Sequence, residues 1–207
     1  MNTLMLCGSP HDKGGNSTYI LEGLREKLGV EKTIYNIMKT TQICETLFLN
    51  AVKNGDNIVF SFPLYVDSLP AYLLDFLRRM EKEMAGIITC SRVYVIVNCG
   101  FYDAKQTHIA LSIMWKWCEK CGLQKGSAVA IGGGGLTQIA PIGKGPMASV
   151  GDALENLAEH IKQGQKGETL YIEPSFPRFM YKFFGNRGFT VEGKKNGLSK
   201  ADIRREI

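Results

Sequence analysis

The chain has 207 residues, 44% of them hydrophobic and 22% charged, with 25 Lys plus Arg against 20 Asp plus Glu. This balance excludes a disordered chain, and at roughly 100–200 residues per domain the length predicts one domain with an appendage. No apolar run reaches the ~18 residues of a membrane span, and MNTLMLCGSP lacks the basic and apolar stretches of a secretory signal, so a cytoplasmic protein with six reduced cysteines is expected.

The charge is unevenly placed. Residues 1–165 carry 16 basic and 15 acidic side chains, whereas residues 166–207 carry 9 and 5. A nearly neutral main domain argues against a nucleic-acid-binding face spread across it.

In chain order, TLMLC at 3–7 is a short apolar run stopped by Gly8-Ser9-Pro10, as expected of a strand buried on both faces. Residues 17–28 place Ile20, Leu21, Leu24 and Leu28 at helical spacing, with Gly29 as the stop. A second strand fits 33–37 and a helix fits 42–52. NIVFSF at 57–62 is a third strand, closed by Pro63, and 69–84 is a helix carrying Leu73, Phe76, Leu77 and Met80. RVYVIV at 92–97, a helix at 104–120, a fifth strand at 127–131 ending in four glycines, and a helix at 147–162 complete the series. Five strands alternating with five helices predict an α/β fold, a doubly wound five-stranded parallel sheet with helices on both faces. The predicted domain is 1–165, followed by a basic, aromatic C-terminal extension, 166–207.

In such sheets ligands bind beyond the carboxyl ends of the strands, where strand order reverses. Three loops expected there are chemically distinctive. The first, Gly8 to Thr18, runs into a helix amino terminus and contains three glycines, His11, Lys13, Asn16 and two further hydroxyl residues, Ser17 and Thr18, after Ser9. Backbone N–H groups and the helix dipole there favour an anion. The alternative is a helix simply capped by Asn16 or Ser17. The loop is neither a Walker A sequence nor a GxGxxG fingerprint. The second loop, Phe62-Pro63-Leu64-Tyr65-Val66-Asp67-Ser68-Leu69-Pro70, is stiffened by two prolines and suits a planar ring, or else packs with Asp67 or Ser68 as a cap. The third, Asn98-Cys99-Gly100-Phe101-Tyr102-Asp103, adds a glycine and two aromatics, or is a turn capped by Asp103.

Together these loops resemble those of the flavodoxin-like NAD(P)H-dependent FMN reductases, the family that includes quinone and azo-dye reductases. The motifs are Leu6-Cys7-Gly8-Ser9-Pro10 with Gly15-Asn16-Ser17-Thr18, the 62–70 loop, and Asn98-Cys99-Gly100-Phe101. The resemblance implies a flavodoxin-like fold, non-covalent FMN, NADH or NADPH as co-substrate, a small-molecule electron acceptor and a homodimer or homotetramer. By the same resemblance Ser9, His11, Asn16, Ser17 and Thr18 would hold the FMN phosphate, with His11 where Arg or Lys is common. Pro63, Leu64, Tyr65 and Val66 would lie along the ring and ribityl chain, and Asn98, Cys99, Gly100 and Phe101 would border its other side. Hydride would pass through the flavin, so no catalytic side chain and no metal are expected. The runner-up is a flavodoxin-type FMN-binding electron carrier, and a third reading is a flavin-free binding module on the same fold.

Cys118-x-x-Cys121 is expected to be two helix-end cysteines, and Cys99 a packing or flavin-edge residue. The glycine-rich stretch 132–146 is either a flap over the site or a plain connection. The extension holds seven of the twenty aromatics, Phe176 among them, interleaved with Arg178, Lys182 and Arg187, in a helix expected to start at Pro177 and end at Gly185. Packing against the protein or a second subunit is favoured there over a membrane surface, and nucleic acid is favoured least.

Overall fold

The computed structural model describes residues 2–11, 14–29, 31, 33–175 and 177–203, so Lys13 and Phe176 lie outside the described residues. The chain divides into two compact units, 1–174 and 175–207.

The first unit is built on strands β1 (Thr3–Cys7), β2 (Ile34–Asn36), β3 (Asn57–Pro63), β4 (Arg92–Asn98), β5 (Gln124–Ile131) and β6 (Thr169–Ile172). They form one all-parallel sheet in the order β2-β1-β3-β4-β5-β6. The sheet therefore has six strands where the sequence predicts five. The sixth, TLYI, lies in what reads as the start of the extension and pairs Ala128–Ile131 with Thr169–Ile172. It escapes the sequence pattern because it is four residues long, only partly buried, and at the sheet edge.

The helices of this unit are α1 (Asn16–Leu28), α2 (Thr41–Asn54), α3 (Ala71–Glu83), α4 (His108–Lys120, preceded by a 3₁₀ turn, Ala104–Thr107) and α5 (Ala148–Gln163). Gly29 ends α1 in the left-handed conformation, φ 66°, which glycine adopts without a Cβ clash. Helices α1 and α5 cover one face of the sheet, and α2, α3 and α4 cover the other.

Successive strand side chains alternate between these faces. In β3, Ile58, Phe60 and Phe62 join the α2–α4 core, where Phe48, Phe60, Phe76 and Trp117 stack with ring centroids 5.8–6.4 Å apart. The Trp117 indole N–H donates to Leu77 O at 2.9 Å, satisfying its polar end inside the core. The same alternation in β4 sends Val93, Val95 and Val97 to that core and Asn98 toward α1. This register decides the architecture of the site.

The second unit contains α6 (Arg178–Lys195) and α7 (Lys200–Ile203). Pro177 precedes α6 as expected, but the helix does not stop at Gly185. It runs through Gly185 and Gly188, neither of which has a positive φ, to Lys195.

Candidate functional site

Strand order reverses between β1 and β3, and the loops leaving β1, β3 and β4 surround a cleft of about 330 Å³ at that point. Ser9, His11, Gly14, Gly15, Asn16 and Ser17 line one end of it. Pro63, Leu64, Tyr65, Asn98, Cys99 and Gly100 line the other. Ten of the thirteen residues expected from sequence are thus brought together, and the volume lies in the range of small-molecule sites, ~300–1,000 Å³.

Three are placed differently. Thr18 faces away: its Oγ1 is 3.3 Å from Cys7 Sγ, and it lines a separate cleft between α1 and β2 with Glu22 and Arg25. A residue next to Ser17 on a helix is turned by more than a quarter of a revolution, so the two hydroxyls cannot point the same way. Val66, 98% exposed, and Phe101, 57% exposed, stand outside the lining.

The first end is shaped as an anion cradle. Gly15, not Asn16 or Ser17, precedes α1 as its cap residue and has no side chain to cap it, and the first turn contains no acidic residue. The first N–H groups of a helix lack intrahelical partners, and the macrodipole places about +0.5 charge there. Gly14 is left-handed, φ 75°, while a Cβ on Gly15 would sit 3.0 Å from His11 Cβ and 3.3 Å from Ser9 Oγ. The glycines thereby keep the backbone open to a close ligand. Ser9 is buried, its Oγ accepting from His11 N at 3.3 Å, and Asn36 Nδ2 donates to Ser9 O at 2.9 Å.

Asn98 joins the loops. Its buried amide Nδ2 donates to Ser17 Oγ at 2.7 Å and to Phe62 O at 3.3 Å, and its backbone O accepts from Leu64 N at 2.8 Å. Ser61 Oγ, two register positions away on β3, donates to Ser17 O at 2.9 Å. Tyr72 OH donates to Gly8 O at 2.6 Å, fixing the first loop to α3; burial pushes the Tyr72 phenol well above its usual range, so it remains a donor.

The loop after β3 is held by more than its prolines. Tyr65 and Ser68 exchange both backbone hydrogen bonds, 3.0 and 2.9 Å, around a two-residue turn in which Val66 and Asp67 have φ 47° and 56°. This is the type I′ arrangement usually built from Asn and Gly. A β-branched residue there is strained, and such strain is found where surrounding structure over-determines a functional loop.

The four-glycine loop after β5 is tied to the site. Gly133 N donates to Phe101 O at 2.6 Å and Gly134 N to Cys99 O at 2.8 Å, so residues 133–134 are a fixed brace. A Cβ on Gly134 would lie 2.9 Å from Asn98 Oδ1, and Thr137 Oγ1 donates to Asn16 Oδ1 at 2.9 Å. Sequence reasoning missed Thr137 and Asn36; a hydroxyl just after a glycine run and a carboxamide at the end of β2 were the available signals.

Cys99 packs at the edge of the cleft. It is buried, its thiol is directed to the carbonyls of Phe101 at 3.6 Å and Asp103 at 3.8 Å, and burial raises its pKa. Cys118 and Cys121 are likewise buried, with Cys121 pushed up to about 11 by desolvation. Asp103 caps the following 3₁₀ turn, accepting from Lys105 N at 2.8 Å. Among the described residues no group of three or more His, Cys, Asp or Glu side chains could hold a metal.

No protein-family model and no curated protein matches this chain. Solved structures do. The Trp repressor binding protein of Bacillus subtilis superposes with a TM-score of 0.57 at 15% identity, covering 75% of this chain and 97% of that one. A flavodoxin of Streptococcus pneumoniae gives 0.54 at 18% identity, covering 78% and 99%. An FMN-dependent NADH-azoreductase of Bacillus anthracis, solved in complex with FMN, gives 0.53 at 15% identity, covering 78% and 99%. Strand order, helix placement and these likenesses define the class: the first unit has a flavodoxin-like fold.

Proposed function

We propose that residues 1–174 bind FMN in the 330 Å³ cleft and act as an NAD(P)H-dependent oxidoreductase of the FMN reductase and quinone reductase type. The observation that carries this reading is the convergence of a helix amino terminus and two ring-bordering loops on one cleft at the strand-order reversal. An NADPH-quinone reductase of P. pentosaceus shares the fold at a TM-score of 0.53 and 14% identity, beside the azoreductase.

The residues present suit FMN at both ends. Ser9, Gly15, Asn16 and Ser17, with the α1 terminus, offer N–H and O–H donors to a phosphate, and His11 adds a ring nitrogen. Leu64 and Tyr65 on one side and Cys99 and Gly100 on the other offer apolar surface to a planar ring. FMN bound there would supply hydride acceptance from the nicotinamide and its delivery to a small acceptor such as a quinone or free flavin. The chain's part is to position: Asn98 holds Ser17 against the β3 loop, and the Val66–Asp67 turn fixes the outer rim. The proposal extends to a cytoplasmic homodimer or homotetramer, tested by sedimentation velocity.

Titration with FMN, followed by anaerobic addition of NADH or NADPH, tests the function. Quenched flavin fluorescence with bleaching of the visible band is expected. Binding without bleaching by either nucleotide would establish the electron carrier instead, and absence of binding would leave a flavin-free module.

A further inference from the structure

The whole net charge of the chain sits in its second unit: residues 175–207 carry eight basic and three acidic side chains, while residues 1–174 carry 17 of each. Along α6, Arg178, Lys182, Arg187, Lys194 and Lys195 face a single acidic residue, Glu192. Glu192 pairs with Lys195 at 3.4 Å, whereas Arg178, Lys182 and Arg187 are in no ion pair among the described residues.

This helix is poor in intrinsic support. Gly185, Gly188 and Gly193 lie in its interior, where glycine weakens a helix, and most helical stability in proteins comes from packing rather than propensity. Of the three, Gly193 has a packing reason, since a Cβ there would meet Ile203 Cδ1 at 2.5 Å; Gly185 and Gly188 face open space. No residue of α6 is buried. Phe179, Phe183 and Phe189 are 71%, 62% and 75% exposed. Such a helix calls for a surface outside itself.

The distribution of side chains selects that surface. Over the first two turns, helical spacing puts Phe179, Met180, Phe183 and Phe184 on one arc and Arg178 and Lys182 on the other, with the Phe183 and Phe184 rings edge-on at 5.6 Å. Arg187 and Lys194 enter the apolar arc only beyond it. In those two turns, long basic side chains bordering an inserted apolar face would reach outward to anionic headgroups, as in helices that lie in the plane of a bilayer surface; beyond them the separation is lost, with Phe189 on the basic side. A second copy of the same strongly basic segment would be repelled, and a nucleic acid would leave the Phe179–Phe184 arc uncovered. No helix among the described residues is long and apolar enough to cross a membrane, so the helix would lie on it.

We propose that α6 docks the chain on an anionic lipid surface through its first two turns, inserting Phe179, Met180, Phe183 and Phe184 between headgroups while Arg178 and Lys182 contact their phosphates. The inference is independent of flavin binding, and its test does not read activity.

The full chain is co-sedimented with phosphatidylcholine vesicles made with and without phosphatidylglycerol. Binding to the anionic vesicles alone, weakened by salt, is expected. Lys182→Gln should lower it about fivefold, and Phe183→Ser with Phe184→Ser about tenfold or more. Because these residues are exposed, the unfolding midpoint of the chain should not move, which separates a binding defect from misfolding. Equal binding to neutral and anionic vesicles, or no binding to either, would overturn the proposal. So would self-association that the Phe pair abolishes in the absence of lipid, or tighter binding to a single-stranded oligonucleotide than to the anionic vesicles.

Discussion

Phe48, Phe60 and Phe76 are fully buried in the first unit, each packed against two or three other rings of its aromatic cluster, whereas Phe179, Phe183, Phe184 and Phe189 in α6 are 55–75% exposed. The same residue type thus serves opposite ends. In the first unit, strand alternation delivers each ring to a sheet face that a helix covers. In α6 the rings share a helix with interleaved cations, and no burial compensates their exposure. Aromatic density alone does not mark a core; periodicity and the company of charges do.

The contrast is most sharply tested by truncation on its two sides. Phe60→Ala should lower the unfolding free energy by ~3–5 kcal/mol through loss of transfer energy and a cavity, whereas Phe183→Ala should change it by no more than ~0.5 kcal/mol. Urea unfolding of both variants measures this, and similar losses would break the distinction.

Asn98→Ala removes the buried amide joining Ser17 to Phe62. A cost of about 1–3 kcal/mol is expected from the partners left unsatisfied, together with weaker FMN binding, both read in a single titration-and-melt series.

Tyr94 sharpens the account of the first unit at alkaline pH. Its buried hydroxyl donates to His160 O and Gln165 O at 3.0 and 3.1 Å, and burial raises its pKa to about 12. Below pH ~10 both folded and unfolded states keep this proton, so its contribution is fully present. Between pH ~10 and about 12 the unfolded phenol ionises first, and stability falls by up to about 1.4 kcal/mol per pH unit. Tyr94→Phe should flatten part of that fall, the rest belonging to Tyr72, which is also raised.

A smaller effect, of opposite sign, is expected at the rim of the cleft. Asp67→Gly relieves a left-handed non-glycine residue, φ 56°, and should stabilise the chain by about 1 kcal/mol in thermal unfolding while loosening the β3 loop.

How the sequence anticipates these features follows from signal strength. Strands β1 to β5 are apolar runs closed by Gly, Pro or Asn, so their existence and order are legible. The exposed edge strand β6 offers four residues with little hydrophobic contrast. The three loops are legible because parallel topology forces strand carboxyl ends to one edge, which the Pro63–Asn98 pairing realises. The direction of Thr18 and the Thr137–Asn16 bond depend on helix phase and on a connection folding back across 121 positions, neither of which leaves a local pattern. The Val66–Asp67 turn is silent for another reason: it contains none of the Gly or Asn residues by which such turns are recognised.

The central claim is that the amino terminus of α1 grips a flavin phosphate. Parallel fluorescence titrations with FMN and with riboflavin, which lacks that phosphate, test it most directly. Saturable one-to-one quenching by FMN, with riboflavin bound at least about tenfold more weakly, is the predicted result, in keeping with loss of charge-assisted hydrogen bonds worth about 1.5–3 kcal/mol. Equal affinity for the two flavins, or no quenching by FMN, would contradict it.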